Sequence, residues 1–203
     1  PGDVLARVEA PTQLMLTAER TALNLLCHLS GVATATAKWV DAIAGTSAII
    51  RDTRKTTPGL RALEKYAVRC GGGQNHRMSL SDAALVKDNH IVAAGGVAEA
   101  FEKVRALAAT LPIEIEVDTL DQLVVAIQAG ADVVLLDNMA PAVMSEAVLI
   151  AQRHEAATGH AVLLEASGGL TLSNAKDVAA TGVHFISVGG LTHSSPILDI
   201  GLD

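Results

Sequence analysis

From about residue 48 to the C-terminus, hydrophobic and polar positions follow a recurring unit: a short apolar run, a polar or glycine cluster at its end, then a helical stretch. The apolar runs are 48–50, 83–86, 113–117, 132–136, 161–164 and 184–188. Between them 62–70, 97–111, 120–129, 141–154 and 172–181 read as helices, several preceded by a capping Thr, Ser or Asp and several followed by Gly. Six buried strands alternating with helices predict an α/β fold with a parallel sheet, as a barrel or a doubly wound sheet. No G-x-G-x-x-G or G-x-x-x-x-G-K-[ST] follows any run, which removes the usual nucleotide fingerprints of open sheets and favours the barrel. Ahead of these units, residues 3–10 alternate as a strand would, and Pro11-Thr12 closes it. Thr17 is then expected to cap a helix with Leu23, Leu26 and Leu29 on its apolar face, stopped by Ser30-Gly31; a second helix is expected over 33–44, ending at Gly45. A chain that opens with proline inside a strand-like stretch reads as a fragment whose N-terminal part is missing.

Composition narrows the picture. Half of the 203 residues are hydrophobic, yet only Trp39, Tyr66, Phe101 and Phe185 are aromatic, so the core must be aliphatic, as in helices laid over a buried parallel sheet. A net charge of -7 without a Lys/Arg-rich run argues against a nucleic-acid partner. No apolar segment approaches the roughly 18 residues that span a bilayer, and the start has no targeting pattern. With two cysteines, Cys27 and Cys70, at no metal-ligand spacing, the expectation is a cytoplasmic protein with reduced thiols and no membrane partner.

In such a barrel the chemistry gathers at the C-terminal ends of the strands. There lie Asp52-Thr53-Arg54-Lys55-Thr56-Thr57-Pro58-Gly59-Leu60-Arg61, then Asn75-His76-Arg77, then Lys87-Asp88-Asn89-His90. With only 15 Lys and Arg against 22 Asp and Glu, cations gathered into three strand-end loops point to one pocket for a multiply anionic small molecule; ordinary surface salt bridges are the alternative. His76 by itself reads as a structural histidine, and between Asn75 and Arg77 as a ligand group. Glu114, Glu116 and Asp118 sit at period two opposite Ile113, Ile115 and Val117, so acids must line the interior. Glu116 and Asp137 end neighbouring strands, where their oxygens could hold Mg2+, directly or through water, or could simply neutralise Lys87 and Arg54. Ser167-Gly168-Gly169 and Val188-Gly189-Gly190 end the last two strands with backbone N–H groups open to an anion. Gly71-Gly72-Gly73 reads as a helix stop ahead of Asn75.

The combination D-T-R-K-T-T-P-G-L-R, K-Y-A-V-x-x-G-G-G-x-N-H-R and L-V-K-D-N-H, with E-R-T-A-L-N, E-I-E-V-D, L-L-D-N, E-A-S-G-G-L and V-G-G-L-T-H-S, resembles the quinolinate phosphoribosyltransferase family from about Gly2 to the end. The resemblance implies an open TIM-like barrel joined to an N-terminal α/β sandwich, working as a homodimer or higher oligomer. On that reading residues 1–24 are a remnant of the sandwich domain, 25–190 the catalytic barrel and 191–203 a segment returning toward the N-terminal domain. It implies transfer of phosphoribosyl from phosphoribosyl pyrophosphate to quinolinate with loss of CO2, giving nicotinate mononucleotide for NAD biosynthesis. Arg54, His76, Arg77 and Lys87 would hold the quinolinate carboxylates, with Arg20 reaching in from a partner subunit. Thr53 belongs to the same binding loop, and Lys55 and Lys87 would face the pyrophosphate. Glu116 and Asp137 would serve the ribose and Mg2+, and the loops at Ser167-Gly168-Gly169 and Val188-Gly189-Gly190 the terminal phosphate. Lys87, Glu116 and Asp137 are the expected catalytic set. A Schiff-base lyase of aldolase type using Lys87 and a non-catalytic anion-binding domain are the competing readings.

Overall fold

The computed structural model describes residues 2–108 and 110–202. Its elements run α1 (Thr12–Ala42), β1 (Ile49–Arg51), α2 (Arg61–Cys70), β2 (Ala84–Val86), α3 (Asp88–Ala94), α4 (Val97–Leu107), β3 (Ile113–Val117), α5 (Leu120–Gln128), β4 (Val133–Asp137), α6 (Pro141–Thr158), β5 (Leu163–Ser167), α7 (Ala175–Ala179), β6 (Phe185–Ser187) and α8 (Gly190–His193). All six strands are parallel, in the order β1-β6-β5-β4-β3-β2. Strands consecutive in the chain are neighbours in space except at one seam, between β1 and β2, where the barrel stays open. Alternation along the strands divides the side chains cleanly. Ile50, Val86, Ile115, Val117, Leu136, Leu164 and Ile186 are buried in the aliphatic core against the helices. Glu114, Glu116, Asp137, Glu165, Ser167 and Ser187 point the other way, as the period of the acids requires.

The N-terminal third departs from the pattern-based expectation. In place of two helices there is one of 31 residues, starting after Pro11; the Thr17 hydroxyl is inside it, bonded back to the Gln13 carbonyl at 2.7 Å. Gly31 does not end the helix. It is buried where the C-terminal tail crosses, and a Cβ there would overlap the Pro196 carbonyl, so glycine serves close approach and not termination. Residues 3–10 are exposed and form no strand, because alternation becomes a strand only beside a partner and none lies there among the described residues. The tail binds α1: Leu198 N–H donates to the Cys27 carbonyl at 3.1 Å, and the Cys27 thiol faces the Ile200 carbonyl at 3.6 Å. Lys87-Asp88-Asn89-His90, read above as a loop, is the start of α3: Lys87 is the extended cap, and its N–H donates to His90 Nδ1 at 2.9 Å. Among the described residues no helix is long and apolar enough to cross a membrane.

Candidate active site

The stretch after β1 is held through its backbone carbonyls and amides and by the side chain of Arg61. Arg61 donates to the Thr56 hydroxyl at 3.1 Å, the Arg54 carbonyl at 3.3 Å and the Met78 carbonyl at 3.1 Å. Thr57 N–H donates to buried Glu64 at 3.0 Å, and the Thr192 hydroxyl donates to the Lys55 carbonyl at 2.7 Å. Asp52, fully buried, takes the Lys65 ammonium, the Asn75 amide at 2.5 Å and the His76 N–H at 2.8 Å. Among the described residues Arg54, Lys55 and Arg77 make no ion pair, and the buried Arg54 Nε has no hydrogen-bond partner. Arg77 is fixed by the Ala83 carbonyl at 2.8 Å; burial, then the neighbouring charge of Arg54, pushes its pKa down from the usual arginine range. Two partly desolvated guanidinium groups repelling each other make a site whose energy falls when an anion enters.

Below them lies a polar floor. His76 Nδ1 accepts from the Arg77 N–H at 2.7 Å, while Nε2 is 2.8 Å from Glu114 and 3.5 Å from Glu165, out of line for a hydrogen bond to either. Arg51, stacked 3.7 Å over the Phe185 ring, reaches Glu165 at 2.6 Å, and Ser187 donates to the same carboxylate. His76, Glu114 and Glu165 converge like metal ligands, but Arg51 already supplies the cation there. Burial and the Glu114 charge push the Glu165 pKa above the usual carboxylate range. A carboxyl raised in the fold binds its proton there more tightly than in the unfolded chain. Stability therefore falls as pH rises from the ordinary carboxylate value through the folded one, with a slope of up to about 1.4 kcal/mol per pH unit. Glu165→Gln is expected to flatten that part of the stability–pH curve, checked by denaturant melts across the range; an unchanged slope would remove Glu165 as its source.

At the rim Glu116 pairs with Lys87, and Asp137 accepts from the Asn138 amide at 2.7 Å, so among the described residues each carboxylate keeps one oxygen without a hydrogen bond. Asn138 has a positive φ of 52° and its side chain packs on Gly168, where a Cβ would overlap it. Gly189 lies against Lys55 and Thr53, the first of which would be 3.2 Å from a Cβ at that position. The Gly189 loop thus closes on the first cationic loop, and the Gly168 loop on the end of β4.

Thr53, Arg54, Lys55, His76, Arg77 and Lys87 line one cleft of about 1000 Å3 with Glu116, Asp137, Ser167, Gly168, Gly169, Val188, Gly189 and Gly190. Arg20 does not join them; it lies exposed on α1, 4.0 Å from Glu19. Lys38, Trp39, His193 and Leu85 also line the cleft and were not singled out in the sequence. Nor was Lys65, which α2 buries with Glu64 and Val68 while exposing Leu63 and Tyr66.

A parallel α/β barrel with unpaired arginines and a lysine at its strand ends, facing rim carboxylates and glycine loops, defines an enzyme class acting on multiply anionic small molecules. A model of the quinolinate phosphoribosyl transferase C-terminal domain matches residues 32–203. Nicotinate-nucleotide pyrophosphorylase [carboxylating] of Mycobacterium leprae is 55% identical over 202 residues, covering 100% of this chain and 70% of its own length. The solved nicotinate-nucleotide pyrophosphorylase of Francisella tularensis is 47% identical with a TM-score of 0.85, over 91% of this chain and 64% of that one. That of Ehrlichia chaffeensis is 40% identical with a TM-score of 0.88, over 96% and 68%. The chain belongs to the quinolinate phosphoribosyltransferase family. The names of these relatives give the enzyme as a nicotinate-nucleotide pyrophosphorylase, described as carboxylating for the Mycobacterium leprae protein. The chain spans roughly two thirds of the length of these relatives.

Proposed function

We propose that this chain carries the catalytic barrel of an enzyme that transfers phosphoribosyl from phosphoribosyl pyrophosphate to quinolinate with loss of CO2, giving nicotinate mononucleotide for NAD biosynthesis, and that it acts in the cytoplasm as a homodimer or higher homo-oligomer, with residues 1–24 belonging to a sandwich domain. The observation that carries the reading is the Arg54–Arg77 pair, two neighbouring cations without an ion-pair partner among the described residues, at the base of a cleft rimmed by acids and glycines. Quinolinate carries two adjacent carboxylates, which suit two guanidinium forks and Lys87. His76 lines the same wall, its Nδ1 accepting from the Arg77 amide and its Nε2 lying 2.8 Å from Glu114. Thr53, Lys55 and the loops at Ser167-Gly168-Gly169 and Val188-Gly189-Gly190 would receive the phosphates of phosphoribosyl pyrophosphate.

The site works by positioning and charge. The ring nitrogen of quinolinate donates its electron pair to the anomeric carbon as the bond from that carbon to the pyrophosphate oxygen breaks; Lys55 and Lys87 stabilise the leaving anion. The carboxylate next to the nitrogen then departs as CO2, leaving its electron pair on the ring carbon beside the pyridinium, and a proton replaces it. Glu116 and Asp137, as hard oxygen ligands, would hold Mg2+, which when bound would supply positive charge to the leaving pyrophosphate. The Schiff-base reading lacks support, since Lys87 is half exposed and paired with Glu116, not sequestered as a free amine.

Full-length Arg77→Ala protein is expected to lose quinolinate affinity by roughly ten- to a hundred-fold, the value of a charge-assisted hydrogen bond, with less effect on phosphoribosyl pyrophosphate. Isothermal titration of each ligand tests this. Equal losses for both ligands would remove Arg77 from the quinolinate pocket, and absence of phosphoribosyl pyrophosphate-dependent CO2 release by the wild type would leave only an anion-binding domain.

A further inference from the structure

Helix α2 buries Glu64 and Lys65 completely and exposes Leu63 and Tyr66. Lys65 donates to Asp52 and, at 2.9 Å, to the His76 carbonyl; Asp52 in turn accepts the His76 N–H at 2.8 Å. One buried ion pair therefore grips both backbone polar groups of His76. Asn75 completes the joint, its amide spanning Asp52 at 2.5 Å and the Lys65 carbonyl at 2.8 Å. We propose that Asp52 and Lys65 are positioning residues for the acceptor substrate: a clasp that fixes the His76-Arg77 backbone against the Arg54 loop and so sets the spacing of the two guanidinium groups.

The physical case has three parts. A buried ion pair confers little stability over an apolar pair of equal volume, so its presence in the barrel wall calls for another return. Burial pushes the Lys65 pKa below the ordinary lysine value while the Asp52 hydrogen bond pulls it back up, so this carboxylate is what keeps the charge in place. The clasp also has the right address. Asp52 directly follows β1 and stands two residues before Arg54, while Gln74 N–H donates to the Ile50 carbonyl at 2.8 Å and Asp52 N–H to the Gln74 carbonyl at 3.1 Å. The two cationic segments are thus laced together along their backbones, with the ion pair at the point where they diverge toward the cleft. A bidentate contact to each carboxylate depends on guanidinium placement within a fraction of an ångström, which a free loop does not provide.

This inference rests on the assignment of Arg54 and Arg77 to quinolinate. Its test is the full-length Asp52→Asn/Lys65→Met double variant, which removes both charges and leaves neither buried alone. Quinolinate affinity is expected to fall roughly ten-fold or more, while phosphoribosyl pyrophosphate affinity and a cooperative thermal melt are kept. Unchanged quinolinate affinity, or equal losses for both ligands, overturns the clasp and leaves the pair a part of the wall. Should the double variant not fold, Asn75→Ala, which keeps the ion pair, is judged by the same criteria. Failure of the wild type to bind quinolinate overturns the substrate assignment and the clasp together, whereas wild-type binding with unaltered variants overturns the clasp alone.

Discussion

Glu116→Gln and Asp137→Asn proteins are expected to fold, to bind quinolinate like the parent and to turn over roughly a hundred-fold more slowly, the scale on which one preorganised electrostatic group acts in a transition state. The two acids end adjacent strands, Glu116 beside Leu135 in the register and Asp137 two residues further on, so both reach the rim of one cleft. Neither change removes volume, and both side chains lie away from the aliphatic core, so the melting temperature should move little. The loss should fall on the transferred group, with kcat reduced more than quinolinate affinity, and raised magnesium should restore part of the rate in at least one variant. Glu116 does pair with Lys87, so a purely neutralising role is a real competitor there; Asp137 has no cationic partner among the described residues, only the Asn138 amide. Wild-type turnover in both variants would reduce the acids to charge balance.

Glu116 was legible in the sequence because a strand period of two leaves no choice of face once Ile113, Ile115 and Val117 are taken as core, and Asp137 because it ends an apolar run; Asp118, in the same period as Glu116, falls beyond β3 and lies exposed instead of lining the interior. The cationic loops were legible for a related reason: charge concentrated at strand ends is local information. What escaped was tertiary. Gly31 looks like a helix stop, and only the tail crossing at Pro196 shows why it is glycine. Lys65 looks like a solvent-facing lysine until Asp52, thirteen residues earlier, is placed against it. The Glu165–Arg51 contact joins residues 114 apart, and no periodicity connects them. Residues 3–10 show the converse failure, since their alternation is real but a strand requires a neighbour that alternation alone does not supply.

Arg20 poses the remaining question, because it is the one expected ligand that the cleft of its own chain does not include. It sits near the start of a 31-residue helix, with its side chain 74% exposed and, among the described residues, only Glu19 within 4.0 Å as a countercharge. A cation placed there serves a neighbour's cleft or none. If a twofold dimer has two shared pockets, each takes Arg20 from one chain and Lys87 from the other. Full-length Arg20→Ala and Lys87→Ala proteins are then each expected to be nearly inactive. Refolded from an equal mixture, about half the dimers are hybrid, and each hybrid has one pocket with both residues intact and one with neither, so about a quarter of wild-type activity should return. The readout is the rate of phosphoribosyl pyrophosphate-dependent CO2 release, with hybrid formation checked by native mass spectrometry. Hybrids that form without recovering activity would mean that Arg20 has no part in a shared site.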